Sequence, residues 1–462
     1  MNLSRRRFLA GTGLAVSAPA LMIPARSPLA AAPRLVARPG TAQLAPAKYK
    51  PSDIWGYEGS VPGPVLRLKR GERLTRTFVN ELPQASTIHW HGIRIDNRMD
   101  GVPHLTQAAV EPGGEFLYDF TVPDAGTYWY HPHNRTWEQL ARGLYGALIV
   151  EENEPVEVDR DEVLLIDDWR LAEDGNLAGN FGNMHDMSHA GRLGNWLTVN
   201  GDGDLKMPVR QNERLRLRLV NTANARVMKI ELRKMAGWVA ALDGQPLERL
   251  APMETLTLAP AQRADLIVDV LAAPGEEAFI ASAEGENGYA MVTFPVTDSA
   301  REARLGEPRP LPANDIPALG DLEKARIVPL AMQGGAMGRM QGAMMGGQMM
   351  GMRDLVQKGK VWALNGVADM PHDPLVTVDR GETVVIRMVN ETAWPHAMHL
   401  HGHHFRQVLA DGSTGPLRDT LLVERTETTS IAFVADNPGD WMLHCHMVEH
   451  SETGMMTWIR VA

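Results

Sequence analysis

Three segments of the chain share one pattern, and that repeat constrains the fold more than any other feature. LRLKRGERLTRTFVNEL begins at Leu66, MPVRQNERLRLRLVNTA at Met207 and VTVDRGETVVIRMVNET at Val376. Each carries a turn of Gly-Glu or Asn-Glu (Gly71-Glu72, Asn212-Glu213, Gly381-Glu382). A run of roughly alternating apolar side chains follows and ends in Val-Asn eight residues after the Glu, at Asn80, Asn221 and Asn390. Alternation on either side of a tight turn is hairpin chemistry. Starts 141 and 169 residues apart predict an all-β chain of three consecutive β-sandwich domains of one type. The 43 glycines and 31 prolines agree with short strands and frequent turns. A single cysteine, Cys445, excludes an intramolecular disulfide, so packing must stabilise the fold.

The repeat also marks where chemistry is installed. Nine and eleven residues after Asn80 lie His89 and His91, in HWHG; the same offsets after Asn390 give His399 and His401, in HLHG. After Asn221 they give Ile230 and Leu232. A second landmark agrees. Asp124-Ala-Gly126 precedes His131-Pro-His133 by the spacing at which Asn437-Pro-Gly439 precedes His444-Cys-His446, whereas Pro274-Gly275 precedes Ile280-Ala-Ser282. Domains one and three carry polar pairs where domain two carries mainly apolar filler, so the middle domain reads as a spacer without metal ligands.

On a strand, residues i and i+2 share a face, so each His-X-His pair offers two imidazoles to one place. Four such pairs suit copper, zinc or iron, and the remaining residues decide. Cys445 lies between His444 and His446 and points to the opposite face, where it can meet His396, His450 and Met455. A thiolate with two imidazoles and a weak thioether is the trigonal blue-copper set. Structural zinc needs neither the methionine nor eight further histidines. The direct Cys-His linkage also joins the two sites electronically.

HWHG, HPH, HAMHLHG and HCHMVEHSETGMM resemble the four copper motifs of the multicopper oxidases, the family of laccases, copper-efflux oxidases and ferroxidases. The resemblance covers essentially all of the chain after its first 32 residues. It implies cupredoxin-like Greek-key sandwiches and four copper ions: one type 1, one type 2 and two type 3. By position, type 1 takes His396, Cys445, His450 and Met455, and type 2 takes His89 and His399. The type 3 pair takes His91, His131, His133, His401, His444 and His446. The implied reaction is one-electron oxidation of a donor, with Cys445 in the electron path, coupled to reduction of dioxygen to water. Asp100, in DNRMDG, resembles the family's acid beside the type 2 copper and is the candidate proton relay; otherwise it is a loop aspartate turning into Gly101. The family's glutamate after the second type 1 histidine is Ser451 here, flanked by Glu449 and Glu452.

Residues 332–352, MQGGAMGRMQGAMMGGQMMGM, hold eight methionines and seven glycines. Glycine at this density cannot make a core helix, and no alternation supports a strand. Thioethers prefer Cu(I), so Met337, Met340, Met344, Met345, Met349 and Met350 are candidate substrate ligands, in the place where copper-efflux oxidases carry a methionine-rich insert. A plain mobile loop or an adaptable apolar flap is the other reading. MHDMSH (Met184–His189) is a second, smaller cluster. Trp394 stands two residues before His396, where those oxidases have methionine, and an aromatic there suits an organic donor. The expected donor is therefore Cu(I), with phenols as further substrates. A true laccase, or a protein that sequesters Cu(I), are the alternatives.

A net charge of −10 with no basic stripe argues against nucleic acid. SRRRFLA (Ser4–Ala10), the apolar stretch GLAVSAPALMI and the small residues near Ala30–Ala32 read as a twin-arginine export signal over residues 1–32. The signal predicts a periplasmic protein; no later segment has 18 consecutive apolar residues, so no membrane span is expected after the signal, and a monomer is expected. The domains are then 33–155, 156–300 and 325–462, with a linker at 301–324.

Overall fold

The structure, a computed structural model, describes residues 32–284 and 288–462. Nearly all of the expected export signal lies outside the described residues. The rest is built almost wholly from strands, arranged as three sandwiches in series. Their strands run between Arg34 and Glu151, between Arg160 and Ser299, and between Arg326 and Val461, and each encloses its own apolar core. Four α-helices are described, none longer than six residues and none able to cross a membrane.

The repeated motif does the same physical work three times. Gly71, Asn212 and Gly381 all have positive φ (87°, 62° and 91°), a conformation that glycine and asparagine adopt at least cost. That turn reverses the chain into Arg73–Asn80, Arg214–Asn221 and Thr383–Asn390. The terminal asparagine of each strand is a staple. Asn80 Nδ2 donates to the carbonyls of Gln84 and Val110 (2.9 and 2.7 Å) while Oδ1 accepts from the Leu82 amide (3.0 Å). Asn221 makes the same three bonds with Arg226, Leu258 and Ala223. Asn390 makes them with Trp394, Glu424 and Thr392. Each asparagine fixes where the following strand starts, which is why the histidine offsets recur.

Those strands pair so that the histidines meet. His89 lies opposite His131, and His399 opposite His444. In the middle sandwich Ile230 lies opposite Ser282 and Leu232 opposite Ile280. Ile230 and Ile280 are buried in the apolar core, so Ile230→Ala should cost about 2–4 kcal/mol in denaturant unfolding through the cavity it leaves. Metal content per folded chain should stay that of the parent. A folded variant that lost one metal ion would contradict the purely structural role of that strand.

One expectation is corrected. The methionine-rich segment contains a β-hairpin, Gly342–Met345 paired with Gln348–Gly351. Gly346 and Gly347 form its two-residue turn with φ of 57° and 77°, the left-handed pair that a tight hairpin requires. Alternation is present after all. Ala343, Met345 and Met350 face a small core with Leu355 and Ala363, and the cross-strand pair Met344 and Met349 faces away.

Candidate metal centre

The strand Gly439–Cys445 and the short helix Val448–Glu452 build the first cluster. Cys445 Sγ lies 3.6 Å from His396 Nδ1 and 3.7 Å from His450 Nδ1, and the two nitrogens are 3.1 Å apart. The helix returns the chain so that His450, five residues on, faces the cysteine again. Both imidazoles are oriented by their other nitrogen: Nε2 of His396 is 2.8 Å from Thr392 Oγ1, and Nε2 of His450 donates to the His189 carbonyl at 2.7 Å. Nδ1 of each is thereby turned towards the thiol. Met455 is buried in the same apolar cluster, and its carbonyl accepts from the Cys445 amide at 3.2 Å. Burial pushes the Cys445 thiol up to about 12 and His450 down to about 4.

On the other face of that strand, eight histidines from the first and third sandwiches converge. His133, His401 and His444 turn Nε2 atoms towards one another, at 3.4 Å (His133–His444) and 3.1 Å (His401–His444). His131 and His446 face each other at 3.3 Å, with the His91 and His446 rings 5.0 Å apart. His89 forms a third potential metal group with His399 and His401. Burial holds most of these imidazoles well below their usual range, His133 at about 3, so they are neutral lone-pair donors at neutral pH.

Asp100 is buried where the first and third sandwiches meet. Its carboxylate lies 2.9 Å from His401 Nδ1 and 3.2 Å from His89 Nδ1, and its backbone carbonyl accepts from His89 Nδ1 at 2.8 Å. Of the two acids flanking Ser451, Glu449 points to Asn224 (2.8 Å) and is raised by burial to about 7. Glu452 lines a cleft of about 240 Å³ that reaches His131, His133, His444 and His446.

Three neighbours carried no local signal in the sequence. Trp362 packs against both histidines beside Cys445, with ring centroids 5.1 Å from His396 and 4.4 Å from His450. Asp419 lies 3.2 Å from His91 Nε2, and its backbone carbonyl accepts from His399 Nδ1 at 2.8 Å. Burial would raise its carboxyl, but Arg263 and His91 hold it well below the usual carboxylate range. Arg263 itself belongs to the middle sandwich, which is therefore more than a spacer. Among the described residues, no potential metal group includes a residue of that sandwich.

The candidate substrate methionines are not gathered in one place. Met345 and Met350 pack inward with Met340, Met344 and Met349 share the outer face of the hairpin, and Met337 is 76% exposed. What sits on the His450 side is the start of the segment. The Ala336 amide donates to the Ser188 carbonyl (2.7 Å), and the Ala336 carbonyl accepts from Trp394 Nε1 (3.0 Å).

Comparison with known proteins places these clusters in a family. Models of the multicopper oxidase family match residues 40–155 and 345–462. The crystal structure of Lac15 from a marine microbial metagenome is 41% identical, covers 93% of this chain and all of its own, and superimposes with a TM-score of 0.77. Multicopper oxidase MmcO of Mycobacterium tuberculosis is 29% identical, over 87% of this chain and 82% of its own length. Copper resistance protein A of Pseudomonas syringae pv. tomato is 27% identical, over 87% and 88%. The chain belongs to the multicopper oxidase family, oxidoreductases that use oxygen, and copper is the metal this membership implies.

The donor set fits that metal. Nε2 of His89 and His399 and Nδ1 of His91 and His446 are buried without a hydrogen-bond partner. Leaving four polar atoms so costs several kcal/mol unless something occupies them, on the order of 1–3 kcal/mol each. The opposite nitrogens of His89, His399 and His91 are held by oxygen acceptors, the arrangement that orients a metal-binding imidazole.

Proposed function

We propose that the protein is a periplasmic cuprous oxidase with laccase-like activity on phenols, serving copper tolerance and reducing dioxygen by four electrons to water. In this reading His396, Cys445, His450 and Met455 hold one copper, and His89 and His399 a second. His91, His131, His133, His401, His444 and His446 hold a pair. Copper held by these residues would supply one-electron redox chemistry between the donor and oxygen. The chain's own part is geometric. Cys445 is bonded directly to His444 and His446, so one tripeptide links both centres. Glu452 and the cleft beside the histidines offer a proton and a way in, and Asp100 holds two cluster imidazoles through Nδ1.

The observation that carries the Cu(I) assignment is the cover over His450. Its outward nitrogen is bonded to the carbonyl of His189, next to the segment that presents the exposed Met337 and, beyond it, the hairpin that carries the exposed Met349 and the half-buried Met344. Soft thioethers in the segment that covers His450 suit capture of Cu(I). The name of the copper resistance relative agrees with that role. Trp394, half-buried and bonded to Ala336, favours a second reading in which an aromatic donor packs there, as in a true laccase.

Replacing Met337, Met344 and Met349 together by leucine keeps side-chain volume and removes the outward thioethers. The expected result is a roughly tenfold rise in KM for Cu(I) with kcat nearly unchanged, the pattern of lost substrate binding. Oxidation of a dimethoxyphenol and bound copper should hold. A variant with the parent's KM for Cu(I) would remove the methionines as a substrate site and move the laccase reading ahead.

A further inference from the structure

Arg263 lies on the strand Arg263–Val270 of the middle sandwich, and its side chain is wholly buried. The guanidinium donates to Asp419 from both ends, Nη1 to Oδ1 at 2.8 Å and Nη2 to Oδ2 at 2.6 Å. Its Nε donates to the Thr127 carbonyl of the first sandwich at 3.1 Å. One side chain of the second sandwich thus ties the first to the third.

Asp419 passes the constraint to the cluster. Oδ1 accepts from His91 Nε2 at 3.2 Å and from Thr420 Oγ1 at 2.8 Å, and the backbone carbonyl accepts from His399 Nδ1 at 2.8 Å. The middle sandwich grips the same corner again. Gln262 Nε2 donates to the Thr420 carbonyl at 2.9 Å, and Asp243 accepts from the Arg263 amide at 2.9 Å and from Arg418 Nε at 3.1 Å. Gly92, which closes HWHG, marks where the bridge passes. A Cβ at that position would strike Arg263 Nη2 and Asp419 Oδ2.

A neutral imidazole donates from one nitrogen and offers a lone pair from the other. Asp419 keeps the His91 proton on Nε2 and leaves Nδ1 as the lone pair, the reverse of His89 and His399, whose Nδ1 atoms are tied to carbonyls. A buried carboxylate stripped of its cation does not keep its charge and place, and the two-pronged guanidinium hold fixes both. The geometry points to Arg263 as a positioning residue of the histidine cluster: through Asp419 it sets which nitrogen of His91, and which orientation of His91 and His399, faces the metal. The inference rests on the reading that this cluster binds copper.

The test compares the copper-loaded parent with Arg263→Met and Arg263→Lys. Copper per chain, the paramagnetic resonance of the non-blue copper and the rate of copper loss to a chelator are measured. The blue absorption serves as internal control, since Cys445, His396 and His450 make no contact with Arg263. Arg263→Met is expected to keep the blue band, alter the non-blue signal and weaken copper retention at the cluster roughly 10- to 100-fold. Arg263→Lys retains the charge and reaches one carboxylate oxygen, so it should recover part of that loss. If the methionine variant does not fold, the lysine variant decides: an altered non-blue signal beside an intact blue band supports the inference. Parental signals and retention in every variant that folds would overturn it, leaving Arg263 as a tie between domains. A parent that binds copper only at the blue site would overturn the cluster reading, and this inference with it.

Discussion

Cys445→Ser is expected to abolish the intense visible absorption of the copper-loaded protein and to cut donor oxidation by well over roughly 100-fold, more than loss of an outer partner costs. The chain has no other thiol, so no neighbour can replace the lost ligand. Serine keeps the shape, but its hydroxyl does not ionise at neutral pH and its oxygen is a hard ligand. His396 and His450 would remain, 3.1 Å apart at Nδ1, and can still hold a metal weakly. The eight histidines on the other face of the strand are untouched, so most of the copper should remain bound. Visible spectra and copper content of the purified, loaded variant decide the matter. A variant that stayed blue would remove Cys445 from the centre.

The copper-free protein should lose stability steeply as pH falls from about 6.5. The sign follows from the histidines. Burial lowers His133 to about 3 and His450 and His403 to about 4, against an unfolded value near 6.5. Below 6.5 the unfolded chain binds protons that the folded chain refuses. The stability these groups confer is therefore complete above that pH and is lost as pH drops towards their folded values. Glu449, raised to about 7, works in the opposite direction over part of the window, but most of the remaining cluster histidines add to the loss. At pH 5 the loss should be on the order of 5 kcal/mol, enough to unfold a domain of ordinary stability. Copper occupies the nitrogens that protons would take, so the loaded protein should hold to lower pH and release metal as it fails. Thermal unfolding of chelated and loaded protein between pH 7 and 4 measures both effects. A copper-free protein with a flat profile from pH 7 to 5 would show that the imidazoles are not buried neutral.

Local periodicity made much of this legible in the sequence. The Gly-Glu or Asn-Glu turn and the terminal asparagine recur because each sandwich uses them in the same bonds. The His-X-His pairs could be read as one-faced because side chains alternate along a strand, and Cys445 as opposite-faced for the same reason. The hairpin at 342–351 is hidden from a reading that weighs its glycines only as a density. Their placement as a Gly-Gly pair is the turn signal, and the flanking methionines do alternate.

What the sequence by itself determined is thus the fold class, the repeat and the identity and facing of the clustered residues, all set by interactions within a few positions of each other. Only the tertiary structure decided how those clusters are held. Arg263 meets Asp419 across 156 residues, His91 meets Asp419 across 328, and His450 meets the His189 carbonyl across 261. An arginine in a strand or an aspartate before a threonine has no local pattern that distinguishes it. Its partner is selected by which sandwich faces which, and that packing depends on the whole chain being closed around the site.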